Sequence, residues 1–209
     1  MNSIDRLAEI FGKFPGIGPR QAKRFVYFLL SRNNGYTDDL IRSIQDIKKE
    51  IIQCGECHRF YALGHSTGEA KNGSSSHLCS ICENDQRDHS MLMIVPRDID
   101  LEAVERSGSY KGYYFVLGGS VPILEKEPEK RIRLAELKKL IEKKKDSLKE
   151  IVLAMNANAE GENTADFIKD IYRESPFSIT MLGRGLSTGA ELEYADPDTL
   201  KNAFLHRTK

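Results

Sequence analysis

Long hydrophobic runs are missing from this chain of 209 residues. No apolar stretch reaches the roughly 18–20 residues of a membrane-spanning helix, and the first residues lack the apolar core of a signal peptide. A soluble, cytoplasmic protein with no membrane partner is expected. No internal repeat occurs, and no G-x-x-x-x-G-K-[ST] segment, so a nucleotide would lack its phosphate cradle. Net charge is absent too, because 31 basic side chains offset 31 acidic ones. Cysteine is scarce: there are 4, all between positions 54 and 82. With 40% hydrophobic residues the chain can still build an ordinary core, or a few small ones.

The zero charge conceals an uneven distribution. Over residues 1–32, Arg6, Lys13, Arg20, Lys23, Arg24 and Arg32 outweigh Asp5 and Glu9. Over residues 156–198 the balance reverses, and only Lys169, Arg173 and Arg184 oppose the acids. Opposite charge at the two ends suggests a different partner for each.

The cysteines form two C-x-x-C pairs, Cys54/Cys57 and Cys79/Cys82. Disulfides or free thiols are one reading. Adjacent C-x-x-C disulfides would be strained, however, and a cytoplasmic chain meets a reducing environment. Two such knuckles suit one tetrahedral structural Zn²⁺ per chain. His58, His65 and His77 lie close enough to replace a cysteine, but four thiolates already complete the shell. A closed shell leaves no open position for catalysis, so the expected role is to staple a small module. The intervening Gly64–Ser76 stretch has no readable role.

Periodicity divides the chain. Ile4, Leu7, Ile10, Phe11 and Phe14 recur at helical spacing. Ala22, Phe25, Val26 and Leu29 give a second helix, and Leu40, Ile41, Ile44, Ile47 and Ile51 predict a third over 39–52. Beyond the cysteines, apolar runs at 91–95, 113–117, 151–155 and 178–182 read as strands. Helical patterns at 98–106, 131–148 and 165–173 separate them, and a short helix closes the tail. Such alternation implies a mainly parallel sheet flanked by helices, an α/β fold.

Two segments carry the functional reading. In Phe14-Pro-Gly-Ile-Gly-Pro-Arg20 the glycines at 16 and 18 allow a tight hairpin and close backbone approach by a phosphate. The N–H groups opening the next helix favour an anion, and Arg20, Lys23 and Arg24 add charge. A plain helical corner with solvated cations is the alternative; the combination favours sequence-independent binding to the DNA backbone. The second segment follows the 151–155 strand as Asn156-Ala-Asn158-Ala-Glu160-Gly-Glu162. Strand ends of this kind line ligand sites in open α/β sheets. Aspartates at 156 and 158 would suit Mg²⁺; asparagines supply much less attraction for a hard cation. Glu160 and Glu162 remain, and their spacing suits a helix start or a protein partner better than a general acid/base pair.

These motifs, in this order, resemble the RecR family of bacterial recombination mediators. The resemblance rests on the helix-hairpin-helix pattern, the four cysteines, Pro96-Arg-Asp98, Glu105-Arg-Ser-Gly108, Val116-Leu-Gly-Gly119 and the block from Arg184 to Asp196. It implies a helix-hairpin-helix DNA-binding region (1–52), a four-cysteine zinc finger (53–83), a Toprim-type α/β domain (84–182) and a Walker B-like or oligomerising tail (183–209). It further implies a non-enzymatic protein that works with RecO, and often RecF, to load RecA on single-stranded DNA, as a ring-like tetramer. Gly16, Gly18, Arg20, Lys23 and Arg24 would then hold DNA, and Glu160 and Glu162 would dock RecO. Two departures stand out. Family members usually have a shorter loop between the cysteine pairs. Catalytic Toprim domains carry a glutamate and an Asp-x-Asp motif where this chain has Pro96, Asn156 and Asn158. A Mg²⁺-dependent Toprim enzyme is the competing expectation. Around Tyr194, the acids Glu191, Glu193 and Asp196 are expected to serve an oligomer or partner contact.

Overall fold

The computed structural model describes residues 1–62, 77–189 and 191–207; the Gly64–Ser76 stretch and His65 lie outside these. The chain divides into two compact units, Met1–Ile52 and Gln53–Lys209.

The first unit is helical, with α1 (Ser3–Gly12), α2 (Pro19–Leu30) and α3 (Asn34–Glu50). Each start has a local cause. The Asn2 and Asn33 side chains accept the backbone N–H groups of Asp5 and Tyr36 at 2.9 and 3.0 Å, and Pro19 opens α2, where its missing N–H costs nothing. The core of the unit is small: Ala8, Ala22 and Val26, with Ile4, Leu7, Phe11 and Ile17 packed against them. Alanines on both α1 and α2 let the two helices approach closely. The apolar stripe of α3 is not covered in the same way, since Ile41, Ile44 and Ile47 are 49%, 57% and 58% exposed.

In the second unit a four-stranded sheet runs in the order β4 (Gly112–Val116), β3 (Asp88–Val95), β5 (Glu150–Leu153), β6 (Ser178–Met181), with every neighbouring pair parallel. Helices α4 (Asp98–Ser107), α5 (Leu134–Lys144) and α6 (Ala159–Ile171) make the crossovers, and α7 (Pro197–Leu205) lies in the tail. Leu92, Ile94, Phe115, Val116, Ile151 and Leu153 are almost wholly buried, as near-continuous apolar strands of a parallel sheet require. From central β3 the chain goes first to β4 on one side, then crosses back to β5 on the other. This reversal opens the sheet's C-terminal edge between β3 and β5, the usual position of a ligand crevice. Two short strands, β1 (Ile51–Gln53) and β2 (Phe60–Ala62), pair beside the first C-x-x-C.

The expected α/β architecture with a helical N-terminal region is what forms. Boundaries differ from the periodicity in three helices. Helix α3 begins at Asn34 because Asn33 caps it, and α6 begins at Ala159 because Asn158 does. Helix α5 is shorter than the 131–148 pattern at both ends, since Arg133 stands at its N-cap and the chain leaves the helix in a turn over 145–147.

Candidate functional site

The four cysteines converge. The sulfurs of Cys54, Cys57, Cys79 and Cys82 all lie within 4.8 Å of one another, and all four residues are buried. Cys57 Sγ and Cys79 Sγ are 3.6 Å apart, close to the roughly 3.8 Å separation that Zn–S bonds of about 2.3 Å give across a tetrahedron. Both knuckles use the same backbone turn: His58 N–H donates to the Cys54 carbonyl at 3.2 Å, and Glu83 N–H to the Cys79 carbonyl at 3.0 Å. Cys54 Sγ also accepts the Cys79 N–H at 3.4 Å. Hydrogen bonds from Cys57, Cys79 and Cys82 hold the Cys54 thiol below its ordinary range, whereas bonding to the same cluster and burial push Cys82 up. Crowded thiols therefore oppose full ionisation unless a cation joins them, and this donor set fits a structural metal ion. The clustered donor set is the four cysteines without a histidine; the His58 ring stacks edge-on at 5.3 Å from that of Phe115, and His77 is exposed.

The cysteine module is fastened to the sheet. Val116 N–H, on edge strand β4, donates to the Cys57 carbonyl at 2.9 Å. Arg133 donates to the carbonyls of Val116 at 2.9 Å and His58 at 3.3 Å. Phe60 N–H reaches Asp98 Oδ1 at 2.7 Å, and Glu56 pairs with Lys143 at 2.6 Å and Lys144 at 3.7 Å. The module thus covers a strand edge that would otherwise present unpaired backbone. No local pattern marks Arg133, and sequence reasoning missed it.

In the first unit, Gly16 takes φ +76°, a left-handed conformation that favours glycine, and Gly18 caps α2. Ile17 between them anchors the turn against the small core. Arg20, Lys23 and Arg24 are exposed, and the first turn of α2 contains no acid. Lys23 Nζ stands 3.7 Å from Asp5, and Arg24 bonds Gln21 at 3.2 Å. Among the described residues Arg20 has no ion-pair partner. The turn therefore offers bare backbone and solvated cations together.

At the sheet's C-terminal edge, Pro96 is buried beyond β3, and its carbonyl accepts Gly118 N–H at 2.9 Å. Asn158 N–H bonds the Asn156 carbonyl at 2.9 Å, and Asn158 Oδ1 accepts Gly161 N–H at 2.8 Å. A Cβ on Gly161 would run into the Asn156 carbonyl, so this turn requires glycine. Glu160 and Glu162 occupy the first turn of α6 and are exposed. Glu162 is engaged: Arg184 Nη1 sits 2.6 Å from it. In the tail, Asp196 caps α7 through Thr199 at 2.9 Å, and hydrogen bonds from Thr199 hold its carboxyl below the usual range. Glu191, Glu193 and Tyr194 are exposed.

Comparison with known proteins matches this layout. Residues 4–48 fit the family model described as RecR, helix-hairpin-helix, residues 90–183 the Toprim domain, and residues 185–208 RecR, C-terminal. The chain is 35% identical over 206 residues to Recombination protein RecR of Staphylococcus saprophyticus, covering 99% of this chain and 96% of that one. The protein of the same name from Rickettsia bellii is 35% identical over 203 residues, covering 97% and 94%. This chain belongs to the RecR family. Within the family's Toprim domain, this member therefore presents Pro96, Asn156 and Asn158 at one sheet edge, a donor set poor in charge for Mg²⁺. Among the described residues no helix is long and apolar enough to cross a membrane.

Proposed function

We propose that this RecR-family chain is a cytoplasmic DNA-binding mediator of recombinational repair that performs no chemistry of its own. Its relatives bear the name Recombination protein RecR. The observation that carries the reading is the hairpin at Phe14–Arg20, with its exposed backbone, acid-free helix start and cations Arg20, Lys23 and Arg24. Phosphates suit such a site, and exposed pairs such as Lys23–Asp5 yield to a phosphate at little cost.

The remaining parts take supporting roles. One structural Zn²⁺ per chain sits among the four cysteines and holds their module to β4. Glu160 and Glu162 dock RecO, with RecF as a further partner, and the assembly helps load RecA on single-stranded DNA covered by its binding protein. The uncovered isoleucines of α3 favour self-association into a ring-like tetramer, where linked basic patches raise the effective concentration of weak contacts. The enzymatic alternative, a Mg²⁺-dependent Toprim nuclease, primase or topoisomerase, needs carboxylates where Pro96, Asn156 and Asn158 stand.

Co-precipitation of RecO and DNA tests this reading. Wild type should retain both, Arg20→Glu/Lys23→Glu/Arg24→Glu should lose DNA alone, and Glu160→Gln/Glu162→Gln should lose RecO alone. DNA retention by the triple variant equal to wild type would refute the hairpin assignment.

A further inference from the structure

After β4 the chain makes a turn whose apex is apolar and whose base is clasped. Pro122 carbonyl accepts Glu125 N–H at 3.1 Å, closing a four-residue turn with Ile123 and Leu124 at its centre. Turn centres normally hold glycine, asparagine, aspartate or other polar residues. Here two aliphatic side chains stand out, Ile123 at 60% and Leu124 at 91% exposure. Isolated exposed leucines are common on soluble proteins. This pair differs because the turn is held from both sides.

On one side, Thr164 is fully buried, and its hydroxyl oxygen accepts the Val121 N–H at 2.8 Å while its own proton goes to the Glu160 carbonyl at 2.6 Å. The neighbouring Asn163 donates from Nδ2 to the carbonyls of Val121 at 3.0 Å and Pro122 at 3.3 Å. On the other side, Glu125 is paired with Arg131. Two consecutive α6 side chains thus fix three backbone groups at the base of an exposed apolar tip. A rigid anchor loses little conformational freedom when a partner covers it.

The clasp also sets where the tip lies. Glu160, Asn163 and Thr164 are spaced i, i+3, i+4 along α6 and share one helix face. The exposed Glu160 carboxylate therefore rises from the same face that grips the turn. Its companion Glu162 is held by Arg184, whereas among the described residues Glu160 has no ion-pair partner. An apolar tip beside an uncommitted acid repels nucleic acid and complements a protein surface in which basic side chains border an apolar pocket.

We propose that the Pro122–Glu125 turn is a docking element, with Leu124 as the apolar anchor and Glu160 as the flanking charge, for a basic protein partner with a hydrophobic pocket. This rests on the reading that the α6 acids dock RecO, and it adds an apolar centre to that contact. The turn and α6 work as one pinned unit, so the partner reads both together. Asn163 and Thr164 position the anchor without touching the partner.

Affinity measurements with purified cognate RecO, across a range of salt concentrations, test this. Leu124→Ser, a substitution at a solvent-exposed apex, should weaken binding at least tenfold through faster dissociation, with the salt dependence kept. Glu160→Gln should weaken binding and flatten the salt dependence. If Glu160→Gln weakens binding while Leu124→Ser matches wild type, the apolar anchor is wrong and acidic docking stands. If neither variant differs from wild type, acidic docking at α6 fails and the anchor with it. If Leu124→Ser leaves RecO binding intact but lowers the mass seen by light scattering, the turn contacts a second copy of the chain, and the proposal is overturned.

Discussion

Asn158 Oδ1 accepts the backbone N–H of Gly161 at 2.8 Å, so the second asparagine of the β5 loop is the N-cap of α6. That one bond gives the charge-poor sheet edge a structural use. It orders the turn that presents Glu160 and Glu162, and aspartate would cap equally well. Asn158→Asp should therefore leave stability unchanged within about 0.5 kcal/mol, whereas Asn158→Ala should cost about 1 kcal/mol. Urea unfolding of the full chain separates the two.

Gly161→Ala tests the same turn sterically. The added methyl meets the Asn156 carbonyl, and overpacking of this kind costs about 1–3 kcal/mol. A lowered melting temperature together with weaker RecO retention is expected; wild-type values in both would contradict the packing described.

The cysteine module and sheet should respond together to metal. About one zinc per chain is expected by elemental analysis, and chelation or Cys54→Ser should unfold the module. Because Val116 N–H on β4 bonds the Cys57 carbonyl at 2.9 Å, hydrogen exchange at Val116 should accelerate in the same step.

Arg87 and Glu105 form a two-pronged pair at 2.7 and 2.9 Å, and Tyr114 adds a hydrogen bond to Glu105 at 2.8 Å. Bonding to Arg87 holds the Glu105 carboxyl below its ordinary value. The pair's stabilisation is thus present above the unfolded pKa of about 4.3 and lost as pH falls through the lower folded value. Glu105→Gln should destabilise the chain by about 1–2 kcal/mol at pH 7, after allowance for partial exposure. The gap between variant and wild type should close in acid; a gap independent of pH would mean that charge plays no part.

Much of this was legible in local pattern. C-x-x-C spacing brought Cys54, Cys57, Cys79 and Cys82 together on paper before the fold did, and strand–helix alternation gave the parallel sheet. Strands β1 and β2 escaped because three residues are too few to show a period. The spacing of Glu160 and Glu162 suited a helix start, but the apolar period began only at 165, six residues after α6 does; Gly161 adds nothing to that period, although it is glycine that lets Asn156 pack there. Pairings such as Arg184 with Glu162, Arg133 with two carbonyls, and Thr164 with Val121 join residues 17 to 75 positions apart. They arise from the folded sheet and leave no mark on sequence spacing.

The hairpin cations should show in the salt dependence of DNA binding. Each Lys or Arg that contacts a phosphate contributes about 0.9 to the log–log slope on duplex DNA. Arg20→Ala, Lys23→Ala and Arg24→Ala should each lower that slope by about 1 for every chain bound, without changing sequence preference.

The most direct measurement is the rate of RecA assembly on single-stranded DNA coated by its binding protein, with RecO and Mg²⁺ present. Wild type should accelerate assembly and leave the DNA uncut. Arg20→Glu/Lys23→Glu/Arg24→Glu and Glu160→Gln should each lose most of that acceleration. No acceleration by wild type, or cleavage of the DNA that depends on this chain and Mg²⁺, would contradict a mediator without chemistry of its own.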